Sequence, residues 1–402
     1  MKILFLHLSD LHIKDENTFP NKKIDKMINA IAEEKNIDKI FIVLSGDLAF
    51  EGIKEQYVVI KKILEKIITK LKKTYNISDY IDVIVVPGNH DINFKGTSLS
   101  RIEIQTKFFQ NKQINEVTSD FIGKMDEFFE FASSNTCFIT NKILDIKYYK
   151  LENYNIQFNL INSAINSTFK DPTNDGDKGL HYIDDSEIDK MGNSENNDLV
   201  ISVMHHSPEW YHESCRHKFL SYINNKTNFL LCGHEHVNVE NELIQNESKV
   251  TRIYGGPLAF GEKSIFNTIL LDTEENKYKT CCYTWSNGMY QTEHGEFKKI
   301  NNAIKIKPEF YNDFINDETL TNVRDFRDFF VFPELIDVNK EEKEQIINNK
   351  KLFDFIEKKR MIIIEGDDYS GKSCLSKYIY LELLKNKIPV FFDMKKLNST
   401  RI

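Results

Sequence analysis

Five short apolar runs in this chain each end at polar residues of the kinds that bind metal ions. The clearest covers residues 83–91, where a β-branched segment stops at a Pro-Gly pair and is followed by Asn89, His90 and Asp91. Apolar β-branched segments that end in a turn are typical of buried parallel strands. Polar side chains are costly to bury without partners, so this position predicts that they share a ligand.

The other four runs repeat this arrangement. Residues 3–8 precede Asp10 and His12, 40–44 precede Asp47, 199–204 precede His205, and 229–232 precede His234 and His236. Ligands of α/β sheets bind at the carboxyl ends of the parallel strands. We therefore expect five strands to deliver these side chains to one sheet edge, where imidazole nitrogens and carboxylate oxygens would hold a metal.

The order of these motifs resembles the calcineurin-like metallophosphoesterases over residues 1–290. The motifs are Asp-x-His, Gly-Asp, Gly-Asn-His-Asp, His and Gly-His-x-His. The resemblance implies an α/β fold, a four-layer β-sandwich flanked by helices, and an enzyme that hydrolyses phosphoric esters. It also implies two divalent cations that share one carboxylate. Since the ligands include no thiolate, manganese is the expected cation, with iron, zinc or nickel as alternatives.

The resemblance also gives each motif residue a role. Asp47 would bridge the cations, with Asp10, His12 and His236 completing the first site and Asn89, His205 and His234 the second. His90 would donate a proton to the leaving oxygen, and Asp91 would orient His90. His206 would lie behind His205 or face the substrate. His7 should pack within the first strand, and we expect the remaining histidines on the surface or in ordinary hydrogen bonds: His181, His212, His217 and His294.

Apolar residues at three- and four-residue steps predict helices over 22–36 and 54–73 that cover the sheet. Four strand-like segments follow the last ligand motif, at 241–246, 249–254, 265–272 and 277–285. We expect these four to form the second sheet of the sandwich.

Residues 366–373 match the phosphate-binding pattern G-x-x-x-x-G-K-[ST], between a strand-like run at 361–365 and a helical segment at 374–386. In such a loop Gly366 and Gly371 shape a cradle of backbone amides, Lys372 reaches the outer phosphates and Ser373 binds magnesium. The pattern resembles the start of a STAND-like P-loop NTPase domain. Only 29 residues, 374–402, follow it, so we expect a truncated P-loop α/β segment that binds ATP and magnesium only within a complete domain.

These features predict three parts. Residues 1–299 would be the metallophosphoesterase domain, 300–345 a linker with short helices, and 346–402 the N-terminal fragment of a P-loop NTPase domain. A chain of 402 residues is long enough for two domains.

Net charge, cysteine content and hydropathy limit the partners and the cellular location that we expect for the protein. The net charge of -8 does not favour non-specific binding to nucleic acid, although a local basic groove is compatible with it. The six cysteines form no CxxC pair, which indicates free thiols in a reducing compartment. No apolar run is long enough to span a bilayer, so we expect a cytoplasmic protein without a membrane partner.

A phosphoesterase placed before an NTPase segment favours a nuclease effector controlled by an NTPase switch, as in bacterial defence proteins. Its substrate would be a nucleic acid or a nucleotide, and the C-terminal region could support oligomerisation. Two alternatives stay open. One is a cyclic-nucleotide or other small-molecule phosphodiesterase or phosphatase, and the other is a catalytically silent module that only senses a ligand.

Overall fold

The computed structural model describes residues 1–77, 81–95, 122–135, 139–152, 154–167, 178–191, 197–236, 240–245, 248–259 and 261–300, with short stretches between 331 and 383. The chain forms two compact units, Met1–Ala303 and Ile304–Ile402. Most of the predicted linker at 300–345 lies outside the described residues.

The first unit mixes strands and helices along its whole length. Its strands are β1 (Lys2–Leu8), β2 (Lys39–Ser45), β3 (Asp82–Val86), β4 (Leu144–Leu151), β5 (Tyr154–Ile161), β6 (Leu199–Val203), β7 (Phe229–Cys232), β8 (Glu240–Gln245), β9 (Ser248–Tyr254), β10 (Ile265–Asp272), β11 (Lys277–Ser286), β12 (Met289–His294) and β13 (Lys298–Lys299). Its helices are α1 (Asn21–Ile31), α2 (Lys54–Tyr75), α3 (Asp126–Asn135), α4 (Asp185–Met191) and α5 (Glu213–Lys226). The predicted mixed α/β fold is confirmed.

The strands form two sheets. The first has the order β12-β11-β10-β1-β2-β3, with β13 beside β11, and β1, β2 and β3 are parallel. The second has the order β4-β5-β6-β7-β9-β8, in which β5, β6, β7 and β9 are parallel. The five apolar runs that precede the ligand motifs are β1, β2, β3, β6 and β7, so three belong to the first sheet and two to the second.

The four strands predicted after the last ligand motif are divided between the two sheets. The prediction that 241–246, 249–254, 265–272 and 277–285 form the second sheet is wrong, because β10 and β11 join the first sheet. β10 runs antiparallel to β1, with Lys2 opposite Asp272 and His7 opposite Asn267. An apolar pattern identifies a strand, but it does not specify which distant strand completes its hydrogen bonds.

Three apolar cores account for the long apolar runs. Ile3 and Phe5 of β1 pack between the two sheets, against residues such as Phe158 of β5. Leu4 and Leu6 point to the opposite face, which α1, α2 and α3 cover. Helices α4 and α5 cover the outer face of the second sheet. Since both faces of β1 are buried, its sequence is almost continuously apolar.

The second unit contains, among its described residues, a pair of two-residue strands and one helix. The strands are β14 (Leu335–Ile336) and β15 (Ile346–Ile347), which are antiparallel, and the helix is α6 (Lys372–Leu383). The strand predicted at 361–365 is wrong for its described part, because residues 362–367 form no strand. Ile363 is 70% exposed there, and an apolar run becomes a strand only where a neighbouring strand takes its backbone hydrogen bonds.

No helix within the described residues is both long enough and apolar enough to cross a membrane.

Candidate metal centre

The predicted ligands follow strands of both sheets. In the first sheet Asp10 and His12 follow β1, and Asp47 follows β2. In the second sheet His205 follows β6, and its Nε2 lies 3.2 Å from Oδ2 of Asp47. The expectation of a single sheet edge is therefore corrected, because the carboxyl ends of parallel strands from both sheets meet in one place.

The backbone turns sharply at the predicted ligands. Asp10, His12, Asp47, His234 and His236 all have φ between 45° and 70°, in the left-handed region. This conformation is unfavourable for residues other than glycine by roughly 1–2 kcal/mol. Strained backbone of this kind clusters at functional sites, where the surrounding structure holds it in place. Here it turns the chain directly after a strand end and brings the side chains together.

Glycines in the motifs allow the chain segments to approach each other closely. Gly46 has φ +99°, and a Cβ built on it would lie 2.5 Å from Nδ1 of His205. A Cβ on Gly88 would lie 2.1 Å from Oδ1 of Asp47. Any larger residue at either position would push a predicted ligand out of place.

Asp10, His12 and His236 form the first group of ligand atoms. Nε2 of His236 lies 3.1 Å from Oδ1 of Asp10, and Nε2 of His12 lies 3.8 Å from the same oxygen. The two Nε2 atoms are themselves 3.4 Å apart. All three residues thus direct a ligand atom to one small volume, in which the ligand atoms lie within 4.8 Å of one another.

Asp47 lies between this group and a second one. Its Oδ2 is 3.7 Å from Nε2 of His12 and 3.2 Å from Nε2 of His205. The rings of His205 and His234 have centroids 5.2 Å apart. One carboxylate therefore reaches both groups, as a bridging ligand must.

His206 has a different environment from His205. Its Nδ1 lies 3.2 Å from Oγ of Ser163, and its ring packs 4.3 Å from His181 and 4.4 Å from His234. His205 instead places Nδ1 at 2.8 Å from the carbonyl oxygen of Ser45 and directs Nε2 to Asp47. Ligand atoms of His205, His206 and His234 lie within 4.8 Å of one another, so the choice of His205 over His206 as the ligand stays a prediction.

His90 lies against the same volume. Its backbone N–H donates to Oδ1 of Asp47 at 2.8 Å, and its ring stacks edge-on to His12 at 4.5 Å. Its Nδ1 lies 2.9 Å from the carbonyl oxygen of Phe50. The predicted partner was Asp91, so the main-chain contact with Phe50 modifies that expectation.

The carboxylate of Asp91 holds the loop that carries Phe50. It accepts hydrogen bonds from the backbone N–H groups of Leu48 at 3.2 Å and Ala49 at 2.9 Å. It also accepts from Gly88 N–H at 2.9 Å and from the hydroxyl of Tyr57 at 2.8 Å. Asp91 is thus linked to His90 through the backbone of this loop.

Charge balance in the centre depends on close pairs. Burial alone would raise the pKa of Asp47, but the positive charge and hydrogen bond of His205 hold that pKa well below its ordinary value. Burial likewise opposes the charge on His205, yet the Asp47 carboxylate raises the pKa of His205 to about 9. Burial lowers the pKa of His234 to about 4, which leaves a neutral imidazole with a lone pair for a cation.

Several buried ligand atoms fit a bound cation. Oδ1 of Asn89 is buried without a hydrogen-bond partner among the described residues, whereas Oδ1 of Asp10 and Nε2 of His205 face other predicted ligands, His236 and Asp47. Buried polar atoms are rarely left without such a partner. Oxygen and imidazole donors of this kind suit divalent manganese, iron, zinc or nickel. The residues present therefore fit divalent cations.

Comparison with known sequences agrees with this arrangement. The sequence pattern of the calcineurin-like phosphoesterase family matches residues 3–238, more than half of the chain. This chain belongs to the calcineurin-like phosphoesterase family.

A relative of this calcineurin-like phosphoesterase occurs in Bacillus subtilis (strain 168). It is the uncharacterised metallophosphoesterase-like protein YydB, 24% identical over an alignment of 327 residues that covers 75% of this chain. The matched region spans 62% of the length of YydB.

Solved structures show distant similarity. They include GAP50, the anchor in the inner membrane complex of Plasmodium, at 12% identity over 76% of this chain and 93% of that chain, with a TM-score of 0.41. Vacuolar protein sorting 29 from Cryptosporidium parvum matches at 14% identity over 74% and 99%, with a TM-score of 0.31. A novel archaeal phosphodiesterase matches at 14% identity over 70% and 99%, with a TM-score of 0.29.

The predicted nucleotide loop of this calcineurin-like phosphoesterase lies in the second unit. Lys372 donates from Nζ to the carbonyl oxygens of Gly366 at 2.7 Å and Asp367 at 2.6 Å. Gly371 has φ +86°, and α6 begins at Lys372, with Ser373 in its first turn. The expected helix is present, the described residues 362–365 form no strand, and nucleotide binding by this loop remains a prediction.

Sequence reasoning missed several residues that support the centre. Ser163 accepts hydrogen bonds from the backbone N–H groups of His205 and His206, at 3.2 and 2.9 Å. His181, expected as a surface or hydrogen-bonded histidine, is buried and places Nδ1 at 2.5 Å from the carbonyl oxygen of Ser163. Neither residue stands in a motif, so no local signal identifies it. His212 begins α5 as its N-cap, and His217 is exposed on that helix.

Proposed function

We propose that this calcineurin-like phosphoesterase hydrolyses phosphodiester bonds with two divalent cations, manganese being the expected one. The observation that carries the proposal is the position of Asp47 between two imidazole groups. Its Oδ2 lies 3.7 Å from Nε2 of His12 and 3.2 Å from Nε2 of His205. A carboxylate that lies close to both imidazole groups supports a ligand shared by two cations.

The resemblance to the family supplies the ligand roles. Asp10, His12 and His236 would hold the first cation, Asn89, His205 and His234 would hold the second, and Asp47 would be the shared ligand; Asp10, His12 and His236 place their ligand atoms within 4.8 Å of one another. When bound, such a pair neutralises the charge of the phosphate and lowers the pKa of water for attack. The chain itself supplies a rigid cradle, because Gly46 and Gly88 fix the close approach of the ligand loops.

His90 is the residue that we assign to proton donation. The Phe50 carbonyl engages Nδ1, so Nε2 is the nitrogen that would meet the leaving oxygen. The hydrogen bond from the backbone of His90 to Asp47 fixes the distance between the donor and the bridging carboxylate. Asp91 acts as a positioning residue, because it holds the loop that carries Phe50.

A first experiment tests hydrolysis and metal binding together. The full chain is stripped with a chelator, reloaded with manganese and assayed on bis-p-nitrophenyl phosphate. We expect activity to return with manganese, and we expect Asp47→Ala to lose both cation and activity because the shared ligand is gone. His217→Ala, an exposed histidine outside the centre, should behave as the unchanged protein.

Two results would contradict this proposal. Full metal occupancy in Asp47→Ala, measured by elemental analysis, would remove the bridging role. A metal-loaded protein without activity on phosphodiesters or phosphomonoesters would support the alternative of a ligand-sensing module.

For the substrate we propose a nucleic acid, in a nuclease effector coupled to an NTPase switch. The support is the phosphate-loop pattern at 366–373 in the second unit of the same chain. The alternative is a cyclic nucleotide or another small phosphodiester, which the net charge of -8 favours because long polyanions are repelled.

A paired assay separates these substrates. Plasmid degradation and cyclic-nucleotide hydrolysis are compared at matched enzyme concentration, with Asp47→Ala as the blank in both. Faster plasmid degradation that falls steeply with added salt supports the nucleic acid. Turnover of cyclic nucleotides alone would replace it with the small substrate.

A further inference from the structure

A separate group of metal-binding side chains lies between α1 and the antiparallel part of the first sheet. Glu34 follows α1, Cys281 lies on β11 and His294 ends β12. A carboxylate oxygen, the thiol sulfur and a ring nitrogen of these three residues lie within 4.8 Å of one another. Cys281 is directly opposite His294 in the antiparallel register, so neighbouring strands place two ligands side by side.

The distances fit a small tetrahedral cation. Sγ of Cys281 lies 3.5 Å from Nδ1 of His294. Zinc bonds of about 2.3 Å to sulfur and about 2.0 Å to nitrogen, at a tetrahedral angle, place the two ligand atoms about 3.5 Å apart. Glu34 and Cys281 are buried and His294 is exposed, so a cation can enter from the solvent side.

The surroundings also suit a bound cation. Oε2 of Glu33 lies 3.7 Å from Nε2 of His294, the ring nitrogen opposite the one that faces the sulfur. Metal-bound histidines commonly have a carboxylate on their second nitrogen, which fixes the orientation of the ring. Lys279 contacts Oε1 of Glu34 at 2.7 Å, but a carboxylate has two oxygens with several lone pairs, so this contact does not use up its capacity.

We propose that Glu34, Cys281 and His294 bind one zinc ion at a site distinct from the phosphoesterase centre. A thiolate, an imidazole and a carboxylate form a donor set typical of zinc, and a water molecule would complete four-fold coordination. The ion ties the chain that follows α1 to the outer strands β11 and β12. None of its ligands belongs to the phosphoesterase centre, so the proposal is independent of the proposed function.

Cobalt(II) serves as a spectroscopic replacement for zinc in the metal-free full chain. A thiolate ligand produces a sulfur-to-cobalt charge-transfer band in the near ultraviolet, which the oxygen and imidazole ligands of the phosphoesterase centre do not produce. We expect the unchanged protein to show this band, zinc to abolish it by displacement, and Cys281→Ser to lack it.

Cys282→Ser is the matched control. Successive side chains of a strand point to opposite faces, and Cys282 lies 3.6 Å from Thr284 on the other side of β11. This variant should keep the band. His294→Ala changes an exposed residue and tests the site without disturbing the core; it should weaken cobalt binding at least about tenfold.

The outcomes that overturn the proposal are distinct. Absence of the charge-transfer band in the unchanged protein, or its loss in Cys282→Ser as complete as in Cys281→Ser, leaves only a hydrogen bond between Cys281 and His294. An unchanged cobalt affinity in His294→Ala would likewise show that His294 is not a metal ligand and would overturn the proposal. Phosphodiester hydrolysis is measured on the same samples, so failure of that activity is recognised separately from failure of the zinc site.

Discussion

At the scale of single residues, the centre depends on how each polar side chain is held by its neighbours. Asp91 has four hydrogen-bond donors around it: the N–H groups of Leu48, Ala49 and Gly88, and the hydroxyl of Tyr57. Burial and the nearby charge of Asp47 raise the pKa of Asp91 to about 6 despite these donors. Asp91 thus fixes the backbone around the centre, and it is the next residue in the chain after His90, the proposed proton donor.

His90→Ala tests proton donation. We expect the variant to keep its cations, because no ligand is removed, and to lose roughly a hundred- to ten-thousand-fold in kcat on esters with a poor leaving group. The loss should be much smaller on p-nitrophenyl esters, since that leaving group departs without a proton. Steady-state kinetics on both ester types, with elemental analysis, measure this. Equal losses on both types would mean that His90 acts otherwise.

His7→Gln tests how the buried histidine of β1 makes the stability of the protein depend on pH. Burial lowers the pKa of His7 to about 4 from its ordinary 6.5, and its Nε2 contacts Oγ of Ser45 at 2.8 Å. Between these values the unfolded chain binds a proton that the folded chain does not. The stability linked to His7 is therefore present above pH 6.5 and is lost as the pH falls to about 4, on the order of 3 kcal/mol.

Urea unfolding in the presence of a chelator measures this difference. The free energy of unfolding of the unchanged protein should fall more than that of His7→Gln between about pH 7 and about pH 4.5. Parallel curves for the two proteins would show that His7 does not titrate in this way.

At the scale of elements, helix α2 supports the loop beside the centre through Gln56, whose Oε1 accepts from the N–H groups of Phe50 and Glu51, and through the hydroxyl of Tyr57. Tyr57, in the first turns of α2, donates to Oδ1 of Asp91 at 2.8 Å. Near the other end of the helix, the hydroxyl of Tyr75 donates to the carbonyl oxygen of Ile31 at 2.5 Å. The same chemical group on the same helix thus serves the ligand loop at one end and the packing of α1 at the other.

These two tyrosines give a matched pair of variants. Tyr57→Phe removes a hydrogen bond to a buried carboxylate and should lower the free energy of unfolding by about 1–3 kcal/mol. It should also lower turnover several-fold, because Asp91 then holds the Phe50 loop less firmly. Tyr75→Phe should lower stability without changing turnover. Equal turnover in both variants would mean that the hydrogen bond from Tyr57 to Asp91 does not affect catalysis.

The apolar runs predict β1, β2, β3, β6 and β7, because strands buried on both faces are apolar almost throughout. The motifs that follow them predict which side chains converge. The sequence did not predict which sheet each late strand joins, since the pairing of β10 with β1 joins residues 260 to 270 positions apart. Ser163 and His181 were missed because their contacts with the histidine pair arise only from the fold.

At the scale of the whole molecule, all predicted ligands of the two catalytic cations belong to the unit Met1–Ala303. The residues of its three apolar cores also lie within that unit. A unit with its own core is expected to fold independently. The phosphate-loop pattern lies in the other unit, so the proposed hydrolysis and the predicted nucleotide binding fall in different parts of the chain.

The fragment Met1–Ala303 tests this division. We expect it to fold, to bind the same number of catalytic cations and to hydrolyse bis-p-nitrophenyl phosphate with a kcat/KM within about twofold of the full chain, because no ligand is removed. Circular dichroism, elemental analysis and kinetics measure these properties. A folded, metal-loaded fragment without activity would show that the second unit takes part in hydrolysis.

The ligands of the centre come from two separate sheets, with Asp47 after β2 and His205 after β6. A cation held there would link the two sheets and would stabilise the folded state by mass action. The supply of metal would then determine the lifetime of the protein as well as its activity. Metal-free molecules would separate first between the two sheets, and proteases would degrade them faster.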